Sequence, residues 1–338
     1  MVKLMIAIRV DSNKHIGLGH VMRCLSIADI FKENNNDILF IVCDSECEEI
    51  IKNRGFNCIK LSTSYDNLEN ELNEIKEIIY RYKISKLLID SYYVTDNYLK
   101  NLKQICKTIY INDFLEFKYD VDVIINYNIF SENINYLKYY KENQIFKGTK
   151  YAPLSKEYSN TSYEVKEKVK NILITTGGTD INGVNKLILD RIIESDEFKN
   201  INFNVVIGKY FSISEEEKDN YRKYANINLL ENIEKISKIL NESDIVISAA
   251  GFTMYEICSI GVPCILLSNG SNLVSEEFMK ANSIIYGGDF NKFNLDLLFN
   301  HIQNLICDYD KRKMLSDNCK KIVDGKGAFR IAQLIINL

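Results

Sequence analysis

One of the chain's three histidines follows directly on a Gly-x-Gly turn. In the stretch DSNKHIGLGHVMRC, residues 11–24, His20 comes after Gly17 and Gly19 and before a run with helical spacing of apolar residues. Glycines let a backbone approach a ligand closely, and a helix beginning here presents N–H groups and a positive dipole end. A neutral imidazole in this place is suited to take a proton from water. The alternative is that His20 only caps the helix, and the motifs described below favour the chemical role.

The same turn lacks the residues of two common nucleotide motifs. It has no third glycine, which a dinucleotide-binding turn requires, and no Lys-Ser or Lys-Thr pair, which a phosphate loop of ATP-hydrolysing proteins requires. NAD binding and ATP hydrolysis are therefore both disfavoured, and no cofactor is expected.

A second glycine turn lies in the second half of the chain, in ITTGGTDINGVNK at 174–186. Gly177 and Gly178 end an apolar run, and the oxygen-bearing side chains of Thr179 and Asp180 can cap the helix that follows. This arrangement is typical of a strand that leads into a helix at a ligand-binding edge.

A third turn lies in ISAAGFTMYEICSIGVP, at 247–263. Small residues end the run at Ala250 and Gly251, then Phe252 leads into a short helical stretch that carries Glu256. Small residues before a helix N-terminus can hold a diphosphate, and a carboxylate one turn along can accept hydrogen bonds from ribose hydroxyls. The alternative is that the glycine serves packing and the acid is a solvated surface residue.

These turns connect apolar runs to helical patterns in regular alternation, which predicts an α/β fold with parallel sheets and right-handed crossovers. Leu68, Leu72, Ile75 and Ile79 mark an amphipathic helix at 68–82. A second helix is predicted at about 184–194. Strands are predicted at 4–10, 37–43, 86–90, 107–113, 121–127, 171–178, 202–208, 227–232, 244–251 and 262–268.

A polar stretch between about 155 and 170 divides the alternation into two halves. We therefore expect two doubly wound Rossmann-like domains, at 1–155 and 170–338. Ligands of such sheets bind beyond the carboxyl ends of the strands, so a cleft between the two domains is the expected substrate site.

The composition excludes several classes of function. The 338 residues carry a net charge of -4, which disfavours binding to nucleic acid or to an anionic membrane surface. The nine cysteines form no C-x-x-C pair, so we expect reduced thiols in a cytoplasmic protein rather than zinc ligands or disulfides. The first apolar run is too short for a signal peptide, and no apolar stretch is long enough to span a bilayer.

Taken in order, these motifs resemble those of one enzyme family. They are Arg9-x-Asp11, Ile16-Gly17-x-Gly19-His20-x-x-Arg23-Cys24, Gly177-Gly178-Thr179-Asp180, Ser248-Ala249-Ala250-Gly251 with Glu256, and Gly261-Val262-Pro263. The chain closely resembles the UDP-2,4-diacetamido-2,4,6-trideoxy-β-L-altropyranose hydrolases of pseudaminic acid synthesis, over nearly its whole length. The resemblance implies two domains of the glycosyltransferase B type, no metal, and cleavage of the sugar–phosphate bond with inversion at the anomeric carbon.

The resemblance also implies roles for single residues. His20 matches the base that activates water, and its surrounding loop is matched by Asp11, Gly17 and Gly19. Tyr92 matches a tyrosine that faces the sugar. In the second domain Glu256 matches the acid that binds the nucleotide, and Asn272 matches an asparagine near the diphosphate.

Three positions depart from the family pattern: Ser91, Asn112 and Leu273 stand where the family has histidine, aspartate and glutamine. They adjoin the expected sugar and phosphate positions, so they bear on which sugar is bound and leave the role of His20 untouched.

Other polar residues have simpler interpretations. Asp113 can act as a second proton acceptor or substrate ligand, although a loop cap is the commoner role. Arg23 can contact phosphate or pair with Asp11. We interpret His15 as an exposed loop residue and His301 as structural.

The resulting prediction is a UDP-sugar hydrolase that needs no metal and works as a monomer or weak oligomer. A glycosyltransferase of the same fold, a non-catalytic nucleotide-sugar-binding subunit and a 2-epimerising hydrolase of UDP-N-acetylglucosamine are the competing hypotheses.

Overall fold

The computed structural model of the protein divides into two compact units. Unit 1 comprises Met1–Lys156 and Gly325–Leu338, and unit 2 comprises Glu157–Asp324. The residues that the structure describes are 5–113, 118–177, 181–208, 211, 213–231, 233, 235–270 and 272–338.

Unit 1 alternates strands and helices from its first described residue. The strands are β1 (Met5–Val10), β2 (Asp37–Val42), β3 (Asn57–Lys60), β4 (Ile84–Asp90), β5 (Lys107–Ile111), β6 (Val123–Asn126) and β7 (Ile145–Lys147). The helices between them are α1 (Gly19–Glu33), α2 (Ser45–Asn53), α3 (Leu72–Tyr82) and α4 (Asp96–Lys103). All pairs are parallel, in the order β3-β2-β1-β4-β5-β6-β7.

Unit 2 repeats the pattern. Its strands are β8 (Asn171–Thr175), β9 (Asn202–Val206), β10 (Ile227–Leu230), β11 (Ile245–Ala249), β12 (Cys264–Ser268) and β13 (Ile285–Asp289), in the order β10-β9-β8-β11-β12-β13. Its helices are α5 (Val184–Glu194), α6 (Glu215–Tyr221), α7 (Ile236–Glu242), α8 (Thr253–Ile260), α9 (Leu273–Lys280), α10 (Leu295–Cys307) and α11 (Tyr309–Ile322). Two parallel-sheet α/β units confirm the predicted fold class.

The central strands are apolar because helices cover both faces of each sheet. In β1, Ile6, Ala7, Ile8 and Val10 are all buried. The helix predicted at 68–82 is α3, preceded by a 3₁₀ turn at Leu68–Glu71, and it buries an isoleucine stripe against the sheet.

The last helix, α12 (Gly327–Asn337), packs in unit 1, whereas the second domain predicted from the sequence, 170–338, includes it. Its apolar face, with Ile331 and Ile335, is buried, and the helix packs against α1. Lys86 of β4 donates hydrogen bonds to the carbonyls of Ile335 and Ile336, at 2.6 and 2.8 Å. The chain therefore returns to unit 1 after completing unit 2. A prediction that places a single domain boundary at the 155–170 linker cannot show this return.

Each sheet has one point at which the strand order reverses direction. In unit 1 this point lies between β1 and β4, and in unit 2 between β8 and β11. Ligands of open α/β sheets bind beyond the carboxyl ends of the strands at such a point. The His20 turn follows β1, and the two glycine turns of unit 2 follow β8 and β11. All three turns lie where this rule expects a ligand.

Candidate active site

A tight loop leads from β1 into α1 and fixes where the helix begins. The Asn13 side chain accepts hydrogen bonds from the backbone N–H groups of His15 and Ile16, at 2.9 and 3.0 Å. Gly17 follows with φ +80°, a left-handed conformation that favours glycine. Its N–H donates to the Asn13 carbonyl at 2.7 Å. Helix α1 then begins at Gly19, so His20 lies in its first turn.

His20 is buried and paired with a carboxylate. Its Nδ1 atom lies 2.6 Å from Oδ1 of Asp90, the last residue of β4. Burial favours the protonated form of Asp90, but Arg23 and His20 outweigh burial and hold the pKa of that carboxyl well below its usual range. An ionised Asp90 can only accept, so Nδ1 carries the proton. The other ring nitrogen, Nε2, is buried and has no hydrogen-bond partner among the described residues.

Arg23 joins Asp90 to a second carboxylate. Its Nε donates to Asp90 Oδ2 at 2.6 Å, and its Nη2 donates both to Asp90 Oδ1 and, at 2.8 Å, to Asp113 Oδ2. Its Nη1 donates to the hydroxyl of Tyr127, and the guanidinium lies 5.2 Å from the centre of that ring. Asn128 donates to the remaining Asp113 oxygen at 3.2 Å. We refer to His20, Arg23, Asp90, Asp113 and Tyr127 as the His20 cluster.

The parallel sheet explains why residues so far apart in sequence meet. Val10 of β1 is the register partner of Asp90, and β5 and β6 follow next in the sheet. Asp113 lies two residues beyond the end of β5, and Tyr127 one residue beyond the end of β6. Carboxyl ends of parallel strands lie at one edge of the sheet, where α1 also begins.

Tyr92 lies against His20. The two ring centroids are 4.4 Å apart and the rings meet edge to face. The tyrosine is 45% exposed, whereas His20 is only 4% exposed. Partial burial, with Asp113 and Asp90 nearby, raises the pKa of Tyr92 to about 12, so its hydroxyl stays neutral at physiological pH. This position suits the predicted contact with a sugar.

Asp11 faces the interior of unit 1. One carboxylate oxygen accepts from the fully buried Arg9 and the other from the backbone N–H of Cys43, at 2.6 Å. Arg9 also donates to both carboxylate oxygens of Glu71, each at 2.7 Å. The carboxylate that was predicted to lie in the substrate loop therefore anchors that loop to the backbone directly after β2 and to the buried Arg9–Glu71 ion pair.

The glycine turns of unit 2 expose backbone at the ends of β8 and β11. Gly177 has φ +100°, and among the described residues no atom beyond the glycine and its chain neighbours lies within 4 Å of where a Cβ on Gly177 or Gly251 would stand. Ala250 continues the sheet by donating to the carbonyl of Leu267, at 2.8 Å. Phe252 forms the N-cap of α8, with no side-chain cap hydrogen bond. The predicted contacts of Gly178, Thr179 and Asp180 lie outside the described residues.

Glu256 lies in the first turn of α8. It is partly buried and hydrogen-bonded by Tyr158 and Thr253. Burial raises its pKa to about 7 despite these hydrogen bonds, which lower it. Asn272 has a local role: its side-chain oxygen caps α9 by accepting from the N–H groups of Val274 and Ser275, at 2.9 and 3.3 Å.

The sequence analysis did not identify Asp90 as the carboxylate partner of His20, nor the contacts of Arg23 with Asp90 and Asp113. Arg23 contacts Asp90 and Asp113 rather than Asp11, and Asp113 accepts hydrogen bonds from the side chains of Arg23 and Asn128. The signal was present, since Asp90 ends a predicted strand and Asp113 ends the next one.

Among the described residues, no group of three or more His, Cys, Asp and Glu side chains could hold a metal ion. No helix within the described ranges is long and apolar enough to cross a membrane.

Fold and comparisons together define the structural class. Residues 171–282 match the C-terminal domain of glycosyltransferase family 28, and they contain both glycine turns of unit 2 and Glu256. The glycotransferase of kitacinnamycin superposes with a TM-score of 0.73 at 13% identity, covering 100% of this chain and 99% of that chain. A UDP-GlcNAc 2-epimerase from Neisseria meningitidis, solved with UDP-GlcNAc, gives 0.70 at 12% identity, covering 99% and 100%. The protein has the two-domain glycosyltransferase B fold.

Three relatives match beyond the fold. An uncharacterised protein of Methanocaldococcus jannaschii is 30% identical over 277 residues, which are 78% of this chain and 55% of the relative. The spore coat polysaccharide biosynthesis protein SpsG of Bacillus subtilis is 22% identical over 341 residues, 98% of each chain. A UDP-2,4-diacetamido-2,4,6-trideoxy-β-L-altropyranose hydrolase of Campylobacter jejuni is 27% identical over 251 residues, 72% of this chain and 84% of that one. The chain spans about half the length of the first of these relatives.

Proposed function

We propose that the protein hydrolyses a UDP-linked diacetamido-trideoxy hexose to UDP and the free sugar, with His20 as the base. The observation that carries the proposal is the Asp90–His20 pair, whose Nε2 atom has no partner among the described residues, at the strand-order reversal of unit 1. A relative aligned over 72% of this chain carries the name of that hydrolase, which supports the substrate class.

In the proposed reaction, Asp90 holds the proton on Nδ1 and leaves the lone pair on Nε2. Water then attacks the anomeric carbon on the face opposite the departing phosphate while Nε2 takes its proton. The C1–O bond breaks, its electron pair leaves with the UDP oxygen, and the sugar is released with inverted configuration. General-base assistance of this kind contributes about 10²–10⁴ in rate.

Unit 2 is proposed to bind the nucleotide. The backbone at Gly177 and Gly251 offers open approach to a diphosphate. The positive end of the α8 dipole, about half an elementary charge, is proposed to stabilise the negative charge that develops on UDP. Glu256 is proposed to accept hydrogen bonds from the ribose hydroxyls.

His20 Nε2 is closed to solvent in this structure, so a group that covers it must move before water can reach it. Tyr92 is the exposed ring that contacts His20, and we assign this movement to Tyr92. The same ring is proposed to contact the sugar once it is bound.

A glycosyltransferase of the same fold is the competing function. The match of residues 171–282 to a glycosyltransferase domain favours this function for unit 2, which is proposed to bind the nucleotide. The test is proton and phosphorus NMR of the purified protein with a panel of UDP-sugars and no acceptor. We expect UDP and free sugar to appear in equal amounts, with the inverted anomer first. UDP-sugars that stay intact until an acceptor is added would reject hydrolysis in favour of transfer. Inversion at C2 of the released sugar would instead identify an epimerising hydrolase.

A further inference from the structure

The charges of the His20 cluster do not balance when His20 is neutral. Arg23 contributes one positive charge, and the carboxylates of Asp90 and Asp113 contribute two negative charges. A proton on His20 makes the sum zero. Asp90, Arg23 and His20 are each less than 5% exposed, so water does little to screen an imbalance at this place.

Neighbouring polar groups do not change this count. Cys24 of α1 lies 3.4 Å from Asp90 Oδ2, and burial raises its pKa well above the ordinary value, so the thiol stays neutral. Tyr92, beyond the end of β4, stays neutral for the same reason. Tyr127, beyond β6, contributes an uncharged hydroxyl to Arg23. The charged groups of the cluster other than His20 are therefore Arg23, Asp90 and Asp113. This count covers the described groups that hydrogen-bond within the cluster or stack on its rings.

Asp113 is separated from His20 by the Arg23 guanidinium. One Arg23 nitrogen, Nη2, lies 2.8 Å from Asp113 Oδ2 and 3.0 Å from His20 Nδ1, and it also donates to Asp90. Without Asp113, the positive charge of Arg23 would be matched by Asp90 alone. A proton arriving on His20 would then leave a buried net positive charge, which is costly in an interior of low dielectric.

We propose that Asp113 is a positioning residue that supplies the counter-charge for protonated His20, acting through Arg23 and without contacting the imidazole. The inference deepens the proposed function and rests on it, because His20 gains a proton as water attacks. Asp90 alone orients the ring, and Asp113 makes the cluster electroneutral at the moment when the base carries the proton. This role differs from those that the sequence predicts for Asp113, which are a proton acceptor, a substrate ligand and a loop cap.

The charge effect can be measured without substrate. The protein is labelled with ¹⁵N-histidine, and the three histidine rings are titrated by NMR, with His20→Asn used to assign the signal of His20. In Asp113→Asn, loss of the negative charge disfavours the protonated ring. The midpoint of the His20 titration should therefore fall by about one pH unit, a ~tenfold change in the proton-dissociation constant of the ring. Asp113→Glu, which keeps the charge, should restore the midpoint.

A charge control comes from the same unit. Asp120 pairs with Lys103 at the surface and precedes β6, at the opposite edge of the sheet from the cluster. Asp120→Asn changes the net charge equally and should leave the His20 midpoint in place. If Asp113→Asn does not fold, as judged by its thermal transition, Asp113→Ser removes the same charge with a smaller side chain and gives the same readout.

Activity supplies the second readout. The acid limb of the kcat/KM profile for UDP-sugar hydrolysis should move to lower pH in Asp113→Asn, and the plateau should fall by ~tenfold. An unmoved His20 midpoint in a folded Asp113→Asn protein, or an equal movement in Asp120→Asn, would overturn the inference. If the midpoint moves as expected while no variant hydrolyses any UDP-sugar, the counter-charge role of Asp113 is supported and the proposed function alone fails.

Discussion

His20 combines two properties that residues in a protein interior seldom combine. One ring nitrogen is held by an ionised carboxylate, and the other is buried with no partner among the described residues. Buried polar atoms are nearly always hydrogen-bonded, so an exception of this kind calls for an explanation. A base kept ready for a proton from substrate water provides one.

Tyr92→Ala tests whether the tyrosine covers this nitrogen. Removing the ring should expose Nε2, so His20 should react faster with diethylpyrocarbonate, as measured by mass spectrometry of the peptide that carries it. His15 is already exposed and serves as the control within the same molecule, because its rate should not change. Equal His20 reactivity in the wild type and the variant would show that other groups cover Nε2.

The Gly-x-Gly turn drew attention to His20 in the sequence, where its role as a base stays a prediction, but it did not indicate the partners of the ring. The Gly17 turn is local and can be read directly, whereas Asp90 is 70 residues away and is brought to His20 only by strand pairing. Asp11 shows the opposite case. It is adjacent to the turn in sequence, yet its carboxylate is directed to Arg9 and to the backbone of Cys43. Proximity along the chain was therefore a poor guide to which acid lies beside His20.

At the scale of elements, the turns after the strands differ in what they require of glycine. Gly17 has a left-handed φ, and no described atom beyond its chain neighbours lies within 4 Å of where its Cβ would stand, so the expected cost of an alanine there is backbone strain. Gly251 has no such strain, and within the part of the chain that the structure describes a Cβ there would meet no atom within 4 Å beyond its chain neighbours. The first glycine is needed for the fold of its loop, and the second is available to a ligand.

This contrast predicts different effects for the two alanine variants. Gly17→Ala should lower the free energy of unfolding by about 1 kcal/mol and reduce hydrolysis, because the loop before His20 shifts. Gly251→Ala should leave the thermal transition in place and weaken UDP binding about tenfold, because its methyl group occupies the approach to the backbone. Calorimetric titration with UDP and thermal unfolding measure both effects. An unchanged UDP affinity in Gly251→Ala would remove this turn from the nucleotide site.

Helix α8 leads to a prediction about pH. The pKa of Glu256 is raised to about 7 in the folded protein. Between the ordinary pKa of a glutamate and pH 7, the carboxyl is therefore ionised in the unfolded chain and still protonated in the folded protein. Stability contributed by the protonated form is therefore lost as the pH rises through this window. Glu256→Gln should be more stable than the wild type by about 2 kcal/mol at pH 8, and the gain should vanish near pH 4.

Urea unfolding at the two pH values measures this difference, and Glu276→Gln, an exposed acid on α9, is the matched control. UDP affinity of the wild type should rise as the pH passes 7, because the ionised carboxylate is the better acceptor for ribose hydroxyls. A stability gain of Glu256→Gln that does not depend on pH would contradict this interpretation of the carboxyl.

At the scale of the whole molecule, the alternation of strands and helices was sufficient to predict two doubly wound units, since parallel sheets covered on both faces leave a clear periodic pattern. The pattern could not show that α12 returns to unit 1, because an amphipathic helix does not specify in sequence which sheet it covers. The predicted cleft between the two domains stays a prediction.

In the proposed function, unit 1 supplies the base and unit 2 binds UDP. Changing His20 should therefore affect chemistry and leave nucleotide affinity intact, since no UDP contact is assigned to it. His15→Asn, in the same loop, provides a control variant with an equivalent substitution.

The most direct test is single-turnover release of UDP from the UDP-linked diacetamido-trideoxy hexose, compared between wild type, His20→Asn and His15→Asn, with UDP affinity measured in parallel. We predict that His20→Asn is slower by at least about 100-fold with unchanged UDP affinity, and that His15→Asn matches the wild type. Hydrolysis by His20→Asn at close to the wild-type rate would contradict the assignment of His20 as the base.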